Sequence, residues 1–253
     1  MKKVQLTLRK SFKQTIRINP DSELLYLFLA GAYGKLGMHK EAHKNLGNAY
    51  LDSGKYEKAI DAYKQAIKID PDYAGAHYSL GYAYNNSDMY EEAIESFKQA
   101  IKIDPEHTEA NYNLGNAYYE LDMYEEAIEQ YKQAIKINPD DAIAHSNLGF
   151  AYQESGMYEE AIKAYKQVIR IEPDNAWTHY NLGVVYNKLD MYEESIEASK
   201  QAIKINPDCM EAHSNLGVAY INLKDRGSAM EQYKILKKLD TELANKLFNK
   251  IYK

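Results

Sequence analysis

The chain has 253 residues, a formal charge of −6 and 45% hydrophobic residues. Mild acidity excludes a general nucleic-acid binder, which needs a basic stripe, and argues against attraction to an anionic membrane surface. A single cysteine, Cys209, excludes an intrachain disulfide framework, and no apolar run approaches the length of a spanning helix or a signal-peptide core, so a soluble cytoplasmic protein is expected.

A step of 34 residues runs through most of the chain. Leu-Gly recurs at Leu46-Gly47, Leu80-Gly81, Leu114-Gly115, Leu148-Gly149, Leu182-Gly183 and Leu216-Gly217, and proline at Pro71, Pro105, Pro139, Pro173 and Pro207. A period of this size predicts a solenoid, because one unit cannot bury its own apolar face.

Residues 4–18 read as the second helix of a repeat, with Phe12 at its aromatic slot and Asn19-Pro20 as its stop. A first-type helix follows from about Ser22 to Lys35, with Leu25, Leu29, Ala32 and Tyr33 on one face, and Gly37 closes it. The register then breaks. Met38-His39-Lys40-Glu41-Ala42 opens like a second-type helix, but His43-Lys44-Asn45-Leu46-Gly47-Asn48 continues as a first-type one. About half a repeat is absent. One helix, about residues 39–53, is expected to serve as the second of one pair and the first of the next, and residues 1–36 to leave the path of the others.

Six copies follow, beginning near Lys40, Ala74, Thr108, Ala142, Ala176 and Met210. In the third copy, Ala110, Leu114, Ala117, Tyr118 and Leu121 form the apolar stripe of a first helix. Asp122-Met123 ends it, aspartate tolerating left-handed backbone better than most residues. Tyr124, Ala127, Ile128, Tyr131, Ala134, Ile135 and Ile137 mark a second helix, and Asn138-Pro139 stops it. In the fifth copy Ser195 and Ser199 replace the expected Ala and Tyr, predicting looser packing. Residues 241–252 read as one more helix, with Leu243, Leu247 and Ile251 in one row, a cap for the solenoid's last seam. The expected organisation is partial repeats over 1–39, six repeats over 40–241 and a capping helix over 242–253.

The order Leu114, Gly115, Tyr118, Ala127, Tyr131, Ala134, Pro139 resembles the tetratricopeptide repeat (TPR), over about 200 residues in six copies. The resemblance implies an all-α, right-handed superhelical solenoid of antiparallel helix pairs, binding partners on its concave side. The repeats look like those of the protein O-linked N-acetylglucosamine transferase, whose asparagine ladder holds extended peptides; no catalytic domain accompanies them here. The resemblance to chaperone-adaptor TPR domains fails at its clamp. Lys44 and Asn48 match, but Ser79, Glu109 and Asn113 stand where Asn, Lys and Arg are needed.

Three ladders bear on function. His43, His77, His145, His179 and His213 share one slot, with Asn111 in the remaining copy. Steps of roughly 10 Å between repeats are too wide for metal ligands at about 2 Å, so these are packing residues and no metal or cofactor is expected. Of the 24 tyrosines, fifteen occupy three framework slots, those of Tyr50, Tyr56 and Tyr63, and are expected in the core. Tyr78, Tyr82, Tyr112, Tyr119, Phe150, Trp177 and Tyr180 fall on the first-helix face that lines the groove in the resembled family. Asn45, Asn113, Asn147, Asn181 and Asn215 recur at one slot of that face, with Asn48 and Asn116 one turn on, and a carboxamide can bond a peptide backbone in both directions.

No enzyme constellation or phosphate loop is found. The expected function is a protein-interaction scaffold holding an extended partner segment. Asp52, Glu109, Glu120, Glu154 and Glu211 against Lys44 and Lys188 favour a neutral or basic one. The alternative is a structural protein that self-assembles through its solenoid ends, a homo-oligomer formed at the register break.

Overall fold

The computed structural model describes residues 23–252, so the expected helix over 4–18 and its Asn19-Pro20 stop lie outside the described residues. Every regular element described is an α-helix. The chain forms two compact units, Met1–Met123 and Tyr124–Lys253. The first holds α1 (Glu23–Lys35), α2 (His39–Asp52), α3 (Tyr56–Ile69), α4 (Ala74–Asn85), α5 (Tyr90–Ile103) and α6 (Thr108–Glu120). The second holds α7 (Tyr124–Ile137), α8 (Ala142–Glu154), α9 (Tyr158–Ile171), α10 (Ala176–Lys188), α11 (Tyr192–Ile205), α12 (Met210–Asn222), α13 (Arg226–Leu239) and α14 (Thr241–Ile251). Within each unit every helix packs on the next.

Local chemistry sets the helix ends. Each first-type helix stops at a residue with left-handed backbone: Gly54 (φ 69°) and Gly156 (φ 77°), but Asp88 and Asp122 (both φ 57°), Asp190 (φ 59°) and Lys224 (φ 61°) elsewhere. The following N–H then reaches back to a carbonyl of the last turn, as Met89 N does to Tyr84 O at 3.0 Å. Second-type helices from α3 to α11 open on acids, such as Glu91 and Glu92, and close on a base, such as Lys102, matching the helix dipole at both ends, whereas α13 has no acid in its first turn. They end where the residue before proline turns extended, as Asp70 does (φ −139°, ψ 95°).

The Leu-Gly glycine lets an aromatic ring lie against the first helix. A Cβ on Gly47 would fall 2.4 Å from Tyr63 Cε1, one on Gly81 2.7 Å from Phe97 Cδ1, and one on Gly149 2.5 Å from Tyr165 Cε1. All three rings are fully buried, each worth about 1.5–3 kcal/mol of apolar transfer. Outside the seam, Lys64, Lys98, Lys132 and Lys200 each lie over the ring of the next first-type helix, Tyr84, Tyr118, Tyr152 and Tyr220, at 5.6 to 5.9 Å.

The histidine ladder is a set of latches. Nε2 of His77, His145, His179 and His213 donates to the carbonyl of Pro71, Pro139, Pro173 and Pro207, at 2.8 to 3.0 Å. Each ring ties its helix to the proline turn six residues earlier. Asn111 substitutes with Nδ2 donating to His107 O at 3.1 Å. Among the described residues no group of His, Cys, Asp or Glu is placed to hold a metal ion, and no helix is long and apolar enough to cross a membrane.

The expectation of buried framework tyrosines is corrected: Tyr50, Tyr220 and Tyr233 are half-buried, and so is one whole slot. The slot of Tyr56, Tyr90, Tyr124, Tyr158 and Tyr192 is half-buried, not core. These tyrosines open the second helix at the surface, where Tyr90 and Tyr192 donate their hydroxyls to Asp88 and Asp190 of the turn at 3.1 and 2.6 Å.

At the register break α2 packs against both α1 and α3. Tyr26, Leu29 and Tyr33 of α1 form one cluster with Ala49 of α2, with Met38 and Ala42 packed at its edge. Tyr63 of α3 takes the Gly47 side. The upstream face of α2 is incompletely sealed: Ala42 and Leu46 are half-buried, whereas their counterparts, such as Ala110, Leu114, Ala144 and Leu148, are buried.

Candidate functional site

The expected binding residues sit on the first-type helices, and the structure treats them unequally. In the first unit Asn45 is buried and gives Nδ2 to Glu41 O at 2.7 Å, while Asn48 Oδ1 accepts from the buried Tyr63 hydroxyl at 2.8 Å. Both serve the fold. Asn113 is half-buried on α6. Its Nδ2 lies 2.8 Å from Glu109 O and 3.3 Å from the Tyr78 hydroxyl of α4. Tyr78 is the centre of a ring cluster, with centroids of His107, Phe97 and Tyr82 at 4.7, 6.0 and 6.4 Å. Burial, then the charge of Glu109, pushes its phenol up to about 12. Tyr82 is exposed. Tyr112, Asn116 and Tyr119 are half-buried and already engaged by neighbours.

In the second unit Asn147 and Phe150 line α8, both half-buried. Asn147 has neighbours that hold it, and Phe150 meets the edge of Tyr165 at 5.8 Å. Trp177 is 50% exposed, its ring 5.0 Å from Tyr180, and Ile143 of the preceding repeat is exposed at the same slot. Asn181 is only 4% exposed, and its Nδ2 has no hydrogen-bond partner among the described residues.

Asn215 turns inward. Ser199 leaves empty the place that a ring fills in earlier pairs, and the carboxamide of Asn215 enters it. Its Nδ2 lies 2.9 Å from Ser199 Oγ and 3.3 Å from Ser195 Oγ, and its Oδ1 accepts from Asn187 Nδ2 at 2.7 Å. Ser195 Oγ in turn donates to Gly183 O at 2.8 Å. Both serines are fully buried. The fifth pair is therefore filled by hydrogen-bonded polar groups from the next repeat and is not left open.

Beside this network runs a groove of about 370 Å³, walled by α10, α12 and α14. Tyr180, Val184, Asn187 and Lys188 line it from α10, Glu211, Ser214, Asn215, Val218 and Asn222 from α12, and Leu243 and Lys250 from α14. Sequence reasoning missed Val184, Asn187, Ser214, Val218 and Asn222 of the first-type helices, and Leu243 and Lys250 of the terminal one. The row pattern assigns Leu243 to the packing face of a cap and turns the lysines of that helix away, and nothing in their spacing shows that α14 packs on a first-type helix.

Comparison with known proteins agrees with this architecture. The TPR repeat profile matches residues 47–88, 89–122, 116–156 and 152–190, and the tetratricopeptide repeat profile matches 176–209. The small glutamine-rich tetratricopeptide repeat-containing protein 2 of Mycosarcoma maydis is 29% identical over 79 residues, 24% of this chain and 22% of that protein. The chain thus spans about a fifth of that curated relative's length. Among solved structures, MamA is 30% identical with a TM-score of 0.62, over 64% of this chain and 95% of that one. YrrB, described as a TPR protein with an unusual peptide-binding site, is 27% identical with a TM-score of 0.62, over 79% and 95%. PilF of Pseudomonas aeruginosa, at 21% identity and a TM-score of 0.66 over 83% and 96%, shares the fold. With repeat profiles covering residues 47–209 almost without a break, the chain belongs to the tetratricopeptide repeat family.

Proposed function

We propose that the protein is a cytoplasmic interaction scaffold that holds an extended segment of a partner protein across its first-helix faces, without catalysis. The observation that carries this reading is the half-exposed Trp177, its ring tilted against Tyr180 beside a groove, on helices whose other large apolar groups are mostly sealed. Exposed aromatic anchors next to a concavity are what peptide recognition uses. YrrB, with the same fold, is described as binding peptide. Asn113 and Asn147 offer carboxamides to a ligand backbone, with Asn181 of α10 as a third. In the first unit Asp52, Glu109 and Glu120 are exposed, which favours a neutral or basic segment there.

The test is capture of the partner on the immobilised protein, followed by its affinity for a variant with Asn113, Asn147 and Asn181 changed together to Ala. Each lost hydrogen bond costs about 0.5–1.5 kcal/mol, so binding weakens at least about tenfold while helix content is kept. Unchanged affinity in a folded variant removes the asparagine ladder from the site.

A second reading, self-assembly through the N-terminal end, is favoured by one observation. Ala42 and Leu46 are unsealed, and Phe28 of α1 is 68% exposed. Light scattering across a concentration series decides it; a monomer throughout excludes it.

A further inference from the structure

We propose that the groove between α10, α12 and α14 selects a mixed-charge stretch of the partner: a basic side chain, an apolar one and an acidic one at alternate positions. The proposal rests on the reading of the first-helix face as peptide-binding, and names the chemistry taken at its C-terminal end.

The groove is electrically polarised along its length. Glu211 stands in the first turn of α12, whereas Lys188 and Lys250 stand in the last turns of α10 and α14. Neither lysine makes an ion pair among the described residues. Between the two ends lie Val184, Val218 and Leu243, all half-buried and apolar. Asn187 Oδ1 is buried at the same wall and has no donor among the described residues, its Nδ2 being given to Asn215. An orphaned acceptor of this kind costs about 1–3 kcal/mol until a donor reaches it.

Helix length sets the spacing. From Glu211 to the end of α12 is about 16 Å at 1.5 Å per residue. An extended strand advances about 3.3 Å per residue and shows alternate side chains to one face. A cation facing Glu211, an apolar side chain on the valines and Leu243, and a carboxylate between Lys188 and Lys250 therefore fall at positions i, i+2 and i+4. A purely acidic segment meets Glu211, and a purely basic one meets both lysines.

Short labelled peptides with blocked termini test this by fluorescence anisotropy on the full chain: Lys-Ser-Leu-Ser-Glu and its reverse, against Lys-Ser-Leu-Ser-Lys and Glu-Ser-Leu-Ser-Glu. At least one mixed-charge order binds about tenfold tighter than either like-charge peptide at low salt, because each like-charge peptide exchanges one ion pair for a like-charge contact. In the Lys188→Glu, Lys250→Glu double variant, whose substitutions are exposed and leave the circular dichroism spectrum unchanged, preference moves to the all-lysine peptide. Equal or absent binding of all four peptides, or an unmoved preference in the variant, overturns the proposal. The captured partner separates the two readings. If it binds the lysine variant as well as the original protein but loses the asparagine variant, the scaffold reading stands and this groove falls.

Discussion

Leu247 of α14 lies against Gly217 of α12, where a Cβ would fall 2.6 Å from Leu247 Cδ2. In earlier pairs that contact belongs to an aromatic ring of the second helix, Tyr63, Phe97 or Tyr165. In the sixth pair the ring is Tyr233, which is only half-buried and packs instead on Phe248 at 5.2 Å. The terminal helix thus inserts into the last pair and does not merely cover it. Ala229, Leu236, Ala244, Leu247 and Ile251 form its core.

Leu247→Ala should therefore destabilise the C-terminal unit by about 2–5 kcal/mol, the range for emptying a buried leucine site. Hydrogen exchange should show α12 and α13 opening first, since a solenoid's end depends on its neighbour alone. Uniform protection across α8 to α13 in the variant would show that α14 is dispensable.

Gly149→Ala offers a sharper contrast. The new methyl meets Tyr165, whose ring is fully buried and has nowhere to retreat, so a loss of about 1–3 kcal/mol is expected in chemical denaturation. Gly31→Ala in α1 has no heavy atom within 4 Å of the new Cβ. There the helix preference of alanine, up to about 1 kcal/mol, should leave stability unchanged or raised. Equal effects at the two sites would mean that the ring against Gly149 has room to move.

Alkaline titration probes the ring cluster of the first unit. Tyr78 is pushed up to about 12 by burial and Glu109, so the folded state favours the protonated phenol. This contribution is complete below the ordinary phenol value, about 10, and is lost as pH rises toward 12. Burial also raises Tyr63 and Tyr180. Tyrosinate absorbance should thus show a late-titrating class that merges with alkaline unfolding, and Tyr78→Phe should flatten the fall in stability between pH 10 and 12. A titration with every tyrosine near 10 while the fold persists would contradict this.

The fold was legible in the sequence because its determinants repeat. Leu-Gly, the turn aspartates and the prolines each act within one repeat, so their spacing alone carries the helix pairs. The histidines were legible only as packing residues; the latch itself, a ring nitrogen on the carbonyl of the proline six residues earlier, is shown by geometry alone. The site was less legible because its members answer to neighbours in other repeats. Asn48 is held by Tyr63, and Asn215 is drawn inward by a space that Ser199 leaves sixteen residues earlier. One repeated slot therefore holds unlike environments: Asn113 also reaches Tyr78 of another repeat, Asn181 is buried with its Nδ2 unpaired among the described residues, and Asn215 enters the serine network.

The inward turn of Asn215 can be tested by filling the space it occupies. Ser199→Tyr restores the aromatic found at Tyr63, Tyr131 and Tyr165, but the ring must enter where Asn215 Nδ2 lies 2.9 Å from Ser199 Oγ. Alone it should cost about 1–3 kcal/mol by overpacking. Asn215→Ala alone strips Asn187 Nδ2 of its closest acceptor and Ser199 of its donor, and should cost about 1 kcal/mol or more. Together the two changes suit one another, because the ring takes the vacated place against Gly183. The double-mutant cycle should then show favourable coupling of about 0.5–3 kcal/mol, as residues sharing one space do. Additivity within about 0.5 kcal/mol would mean that Asn215 leaves its inward position without cost, and that its carboxamide is free to serve a ligand after all.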